Sequence, residues 1–244
     1  KKYIKQQKKS ALILEPHPDD FALSALGYIL NQYNAIVGNI FTKTDINNFP
    51  WKNYINITQS QYEGLRIKES IFSTEKLLNQ RFITMAKESL RITKEKKEYI
   101  EKQILVFTKR ILEENNVDTL LIPMGIGEHP DHLITHSSIL NDRNIKQNVK
   151  IILYPEYPYS RSKKNYIDRI NELESRYNLN KIIINIDENK MNIIANAISA
   201  YRSQFDDINR QQMLAIIRED FRSIAQENNQ LQEAMVLYEF IGEK

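Results

Sequence analysis

The chain has no cysteine in its 244 residues, which excludes a disulfide framework and any thiolate metal site. A metal held by this protein must therefore sit on His, Asp, Glu or backbone oxygen. Long apolar runs are missing too. No window approaches the roughly 18 consecutive apolar residues of a membrane span, so no integral membrane segment is expected. The "ALIL" stretch after the early lysines is too short for a signal core. Charge of one sign is nearly balanced: the formal net charge of +3 is too small to argue for a nucleic-acid partner. Internal repeats, low-complexity tracts and Gly/Pro/Ser linkers are absent as well, and the expected location is the cytoplasm.

What is present is an ordinary globular composition, 41% hydrophobic and 27% charged, in a length that suits one α/β domain. Five of the first ten residues are lysine, which predicts a basic, disordered tail over 1–10 and a single domain over 11–244. Residues 11–15 read as a buried strand. They lead into a helix with Phe21, Leu23, Leu26, Ile29 and Leu30 at near-helical spacing. Residues 34–42 read as a second strand. A Ser60…Glu63 capping box opens the next helix, and 81–85 is a short strand. Ile100, Ile104, Phe107 and Ile111 mark the inner stripe of a helix over about 94–115.

The runs at 117–123, 149–155 and 181–186 are nearly continuous in apolar residues, as strands covered on both faces should be. Two helices and a closing strand in "EAMVLYEFI" end the chain. This alternation predicts an α/β fold: a doubly wound, mostly parallel sheet with helices on both faces, a Rossmann-like three-layer sandwich. Ligands of such sheets bind beyond the carboxyl ends of the strands.

Two fragments sit at such strand ends, "ALILEPHPDDFALSALG" (11–27) and "LLIPMGIGEHPDHLITH" (120–136). Together they hold all four histidines, His17, His129, His132 and His136. Read singly, an Asp at a helix start is a cap and a lone His is structural. Two such fragments together point instead to a metal site, since two histidines and one carboxylate form an accepted catalytic zinc set. His17, Asp20 and His132 are the candidate ligands, with Asp19 placed as general base. His129 is the candidate acid or oxyanion donor, with Asp131 to orient it. The same ligand set also fits a non-haem Fe(II) oxygenase. His136, one helical turn beyond His132, reads as a helix-surface residue.

"PHPDD", "HPDH", the Arg66…Glu69 pair and "AYRSQF" (200–205) together resemble the PIG-L/LmbE-type zinc-dependent de-N-acetylases, over about residues 11–205. The resemblance implies Zn2+ on His17, Asp20 and His132, with Fe2+ as a substitute. It further implies Asp19 as base, and His129 with Asp131 as the oxyanion or leaving-group pair. The implied substrate is an N-acetylated amino sugar of the N-acetylglucosamine type, with Arg66 either near it or paired with Glu69. The chain departs from the family where Phe21 replaces a Glu and Leu26-Gly27 replaces a Gly-Gly pair. These departures keep open a second reading, a sugar-binding or scaffold protein that lost turnover. The tyrosines of "YPEYPYS" (154–160) are candidates for a sugar-stacking wall.

Overall fold

A computed structural model describes residues 9–30, 32–43, 45, 56–91 and 93–244. Strand β1 (Lys9–Glu15) takes in the last two residues of the expected tail, and residues 1–8 lie outside the described residues. The other strands are β2 (Tyr33–Lys43), β3 (Arg81–Glu88), β4 (Thr119–Pro123), β5 (Lys150–Tyr154), β6 (Tyr177–Ile186) and β7 (Glu233–Glu243). They form one sheet in the order β3-β2-β1-β4-β5-β7-β6. The pairs among β1 to β5 are parallel, and β7 runs antiparallel to both β5 and β6.

Alternation along the strands divides the core into two layers. In β1, Ala11 and Ile13 face one cluster while Leu12 and Leu14 face the other. The first cluster is covered by α1 (Leu26–Ile29), α7 (Glu188–Ser199) and α8 (Asp207–Glu227). The second is covered by α3 (Lys97–Asn115), α4 (Pro130–Leu140), α5 (Arg143–Asn148) and α6 (Lys163–Arg176). The expected stripe of α3 is the buried one: Ile100, Ile104, Phe107 and Ile111 all pack in the second layer. No helix among the described residues is long and apolar enough to cross a membrane.

Three local expectations differ from the structure. The helix after β1 begins as a π-helical turn, Phe21–Ala25, before Leu26–Ile29. Helix α2 (Gln59–Ile71) is capped by Thr58 and Gln61, so Ser60 lies inside the first turn. Strand β6 is only half buried, because it is an edge strand and pairs with β7 alone. At the position where the family has two glycines, Leu26 is core. A Cβ on Gly27 would stand 2.5 Å from Met235 Sδ, so this glycine lets α1 close on the sheet.

Strand order also fixes where a ligand can sit. The chain runs outward from β1 to β2 and β3, then returns to place β4 on the other side of β1. The loops after β1 and β4 therefore diverge at their carboxyl ends and leave a crevice, the topological switch point of the sheet.

Candidate metal centre and active site

The two histidine-bearing fragments meet in that crevice. Beyond Glu15 the chain turns through Pro16–Asp20, and the Asp20 N–H closes the turn on the His17 carbonyl at 3.2 Å. Asp19 has φ +118°, a conformation that non-glycine residues adopt at a cost of order 1–3 kcal/mol and that recurs at functional sites. The buried Arg66 of α2 holds the turn from the side by donating from Nη2 to the Pro18 carbonyl at 3.2 Å. Its charge also bears on both Asp19 and Glu69. Glu69 in turn accepts from the Ser203 N–H at 2.8 Å, which ties the late "RSQ" segment to α2.

His17 Nε2 lies 2.8 Å from Asp131 Oδ2, and His132 Nδ1 lies 3.2 Å from Glu156 Oε1. Each ring thus gives its N–H to a carboxylate, and these partners assign the tautomers. The remaining nitrogens, His17 Nδ1 and His132 Nε2, are then lone pairs facing each other at 3.2 Å. Asp20 Oδ2 stands 3.7 Å from the first and 3.5 Å from the second. Three acceptor atoms converge, an arrangement stable only with a proton or a cation among them. Tetrahedral zinc ligands at 2.0–2.2 Å stand about 3.4 Å apart, so the triangle of 3.2, 3.5 and 3.7 Å fits that ion.

Ring nitrogens of His17, His129 and His132 also approach within 4.8 Å of one another, so His129 competes with Asp20 as the third donor. The hydrogen bonding favours Asp20. His129 caps α4 and its Nδ1 accepts the Asp131 N–H at 3.3 Å, which puts its own proton on Nε2. A protonated Nε2 donates and does not ligate. Burial and the neighbouring His17 and His132 lower the His129 pKa to about 3, so the ring is neutral.

Asp131 departs from its expected place. Its carboxylate binds His17, with Oδ1 accepting the Leu90 N–H at 2.7 Å, and only its backbone N–H reaches His129. Burial opposes ionisation of Asp131, but the bonds from His17, Ser89 and Leu90 outweigh it and hold its pKa below the usual range. Burial likewise disfavours charged His132, yet Asp20, Glu156 and Asp131 lift its pKa to about 8. Asp19 is raised to about 8 by burial and by Asp20, against the pull of Arg66 and His132.

Two buried carboxylates belong to the site although the sequence reading passed over them. Glu156 lies inside the tyrosine-rich segment. It accepts from the Gly125 N–H at 2.5 Å and the Ile126 N–H at 3.3 Å while holding His132. Glu15 accepts from the Phe21 N–H at 3.1 Å, while the Phe21 ring packs in the core. The signal for both was an acidic residue at the end of an apolar strand. Burial, then Asp20, pushes the Glu15 carboxyl well above its ordinary pKa.

His136 is the clearest correction: it is buried, and its Nδ1 lies 2.8 Å from the Pro123 carbonyl that accepts from it. Helix α4 packs on β4 along this face, so the residue is inside. Burial, with Arg169 nearby, lowers its pKa to about 3. Unfolding restores a value near 6.5, so between these limits the unfolded chain binds more protons and stability rises with pH. His136→Gln is expected to flatten this slope by up to about 1.4 kcal/mol per pH unit between pH 6 and 4. Urea unfolding at pH 4, 5 and 6 measures it. An unchanged slope would mean His136 is not held neutral.

Among solved structures, a deacetylase of the teicoplanin biosynthesis pathway has a TM-score of 0.77 at 17% identity, covering 97% of this chain and 99% of its own. The N,N'-diacetylchitobiose deacetylase of Pyrococcus horikoshii has a TM-score of 0.67 at 18% identity, covering 95% and 83%. GalB, the 4-carboxy-2-hydroxymuconate hydratase of Pseudomonas putida, has 0.66 at 12% identity, covering 95% of both chains. No family model matches the chain, and no curated protein matches it in sequence. The structural likeness at these identities speaks for architecture: this chain is built on the α/β fold that the teicoplanin and diacetylchitobiose deacetylases share.

Proposed function

We propose that the chain is a zinc-dependent N-deacetylase that removes the acetyl group from an N-acetylated amino-sugar conjugate. The observation that carries this is the convergence of His17 Nδ1, His132 Nε2 and Asp20 Oδ2 at 3.2, 3.5 and 3.7 Å from one another, the spacing of ligands around one tetrahedral ion. These residues would hold the ion, with Asp131 and Glu156 fixing the two imidazoles. Zinc, when bound, supplies Lewis acidity that polarises a carbonyl and makes a water more acidic.

The chain's own groups supply the proton transfers. Asp19 accepts a proton from the attacking water as its oxygen bonds to the acetyl carbon. His129 donates from Nε2–H to the carbonyl oxygen as that atom gains negative charge. The acid form of Asp19 then delivers the proton to the amide nitrogen, the C–N bond breaks, and acetate and a free amine leave. The neutral state of His129 argues for the oxyanion role over that of proton donor to the amine.

A second reading, binding without turnover, draws on Phe21, where the family carries a carboxylate. Elemental analysis of protein purified without added metal, together with acetate release from N-acetylglucosamine conjugates, separates the two. Expected are one zinc per chain, loss of acetate release on chelation, and recovery with zinc. Metal-loaded protein that binds the sugars but releases no acetate from any of them would establish the second reading. Turnover that needs iron and oxygen would replace both with an oxygenase.

A further inference from the structure

Glu15 has no part in the chemistry above, yet its carboxylate is buried at the end of the strand that delivers His17. One residue farther on begins the loop Pro16–Asp20, which carries His17, Asp19 and Asp20. The helix after that loop needs acceptors for its first N–H groups, and an aspartate at its start ordinarily supplies one. Here Asp20 makes no such bond: its Oδ2 instead accepts the His17 N–H at 2.8 Å and faces the two imidazoles. The Phe21 N–H goes to Glu15 Oε2 at 3.1 Å. Glu15 therefore bounds the loop twice, by its backbone at the start and by its carboxylate at the end.

The carboxylate is itself anchored. Its Oε1 accepts from Asn39 Nδ2 at 3.3 Å, and Asn39 Oδ1 accepts from Thr84 Oγ1 at 3.3 Å. The three residues are register partners on adjacent strands, Glu15 of β1 opposite Asn39 of β2, and Asn39 opposite Thr84 of β3. A row of side-chain bonds thus crosses three strands and finishes on the first turn of the helix. Glu15 is 1% exposed and Asn39 fully buried, so water does not compete for these bonds.

We propose that Glu15 is a positioning residue of the metal centre, a clamp that closes the loop Pro16–Asp20 and holds His17 and Asp20 at ligand spacing. This rests on the metal site of the reading above and adds to it a residue that touches neither ion nor substrate. The positive φ of Asp19, +118°, persists only where the surroundings fix both sides of the residue, and the clamp fixes the far side. By serving the helix start, Glu15 also leaves the Asp20 carboxylate to the triangle.

The test measures zinc affinity by chelator competition on folded protein, with urea unfolding and the visible spectrum of the cobalt-substituted form alongside. Glu15→Ala is expected to weaken zinc about 10–100-fold and to change the cobalt bands. Glu15→Gln keeps an acceptor for the Phe21 N–H and should stay within about threefold of the parent. Glu15→Asp keeps the charge but falls a methylene short of that N–H, so about a tenfold loss is expected. The last two variants decide the matter if Glu15→Ala does not fold. A merely structural Glu15 would lower the urea midpoint and leave zinc affinity and cobalt bands as in the parent, which would overturn the proposal. Equal losses in Glu15→Gln and Glu15→Asp would overturn it too, since the bond to Phe21 would then not be what matters.

These affinities do not depend on turnover. Parent protein that binds zinc but releases no acetate ends the deacetylase reading alone, and the variants still decide the clamp. A parent that takes up no zinc overturns both, because no centre remains to be positioned.

Discussion

Asp19→Asn is expected to lower kcat for acetate release by about 10²–10⁴-fold while zinc content stays at the parent level. The substitution removes the proton acceptor and little else. Asn tolerates the positive φ of +118° at this position at least as well as Asp, so the strained turn is retained. Asp20, the proposed third ligand, keeps its bond from the His17 N–H at 2.8 Å. Burial and Asp20 raise the Asp19 pKa to about 8 in the metal-free chain, and a cation beside it would draw that value back toward neutrality, where a general base works best. Steady-state acetate release and elemental analysis on the same preparation measure both quantities. A variant with full metal and full activity would remove Asp19 from the role.

Glu156 should matter more for metal than for catalysis. Its carboxylate accepts from two backbone N–H groups and from His132, all of them buried. Glu156→Ala leaves those donors unsatisfied and is expected to destabilise the metal-free protein by about 2–4 kcal/mol. It also frees the His132 ring, and loss of such a partner typically weakens metal affinity 10–100-fold. Glu156→Gln keeps an acceptor in place and should restore most of the stability. It is a weaker acceptor for the imidazole N–H, so zinc affinity should stay about tenfold low. Chelator competition and urea unfolding report the two effects separately. Parent-like zinc affinity in Glu156→Ala would show that His132 needs no such support.

Much of the candidate site can be read from residue order because its proposed ligands are local to two strand ends. His17, Asp19 and Asp20 lie within four positions, and His129, Asp131 and His132 within another four. What orients them is distant in sequence. Asp131 reaches His17 across 114 positions, and Glu156 reaches His132 across 24. The spacing HPDH suggests a pairing of Asp131 with its neighbour His129, and the structure gives that carboxylate to His17, because β4 lies directly beside β1. His136 shows the same limit on a helix. Its spacing from His132 puts both on one face of α4, but only packing of that face on β4 reveals that it is the inner one.

By itself, then, the sequence determined the element types, the strand-turn-helix placement of both fragments and the kind of chemistry their side chains can perform. These follow from hydrophobic periodicity and from donor atoms a few residues apart, which are local properties of a chain. The tertiary structure alone decided the strand order, the antiparallel insertion of β7, the burial of His136 and the partners of the two imidazoles. Each of these joins segments remote in sequence. Their distance is set by which layers pack together, a global balance of burial that no short stretch of residues records.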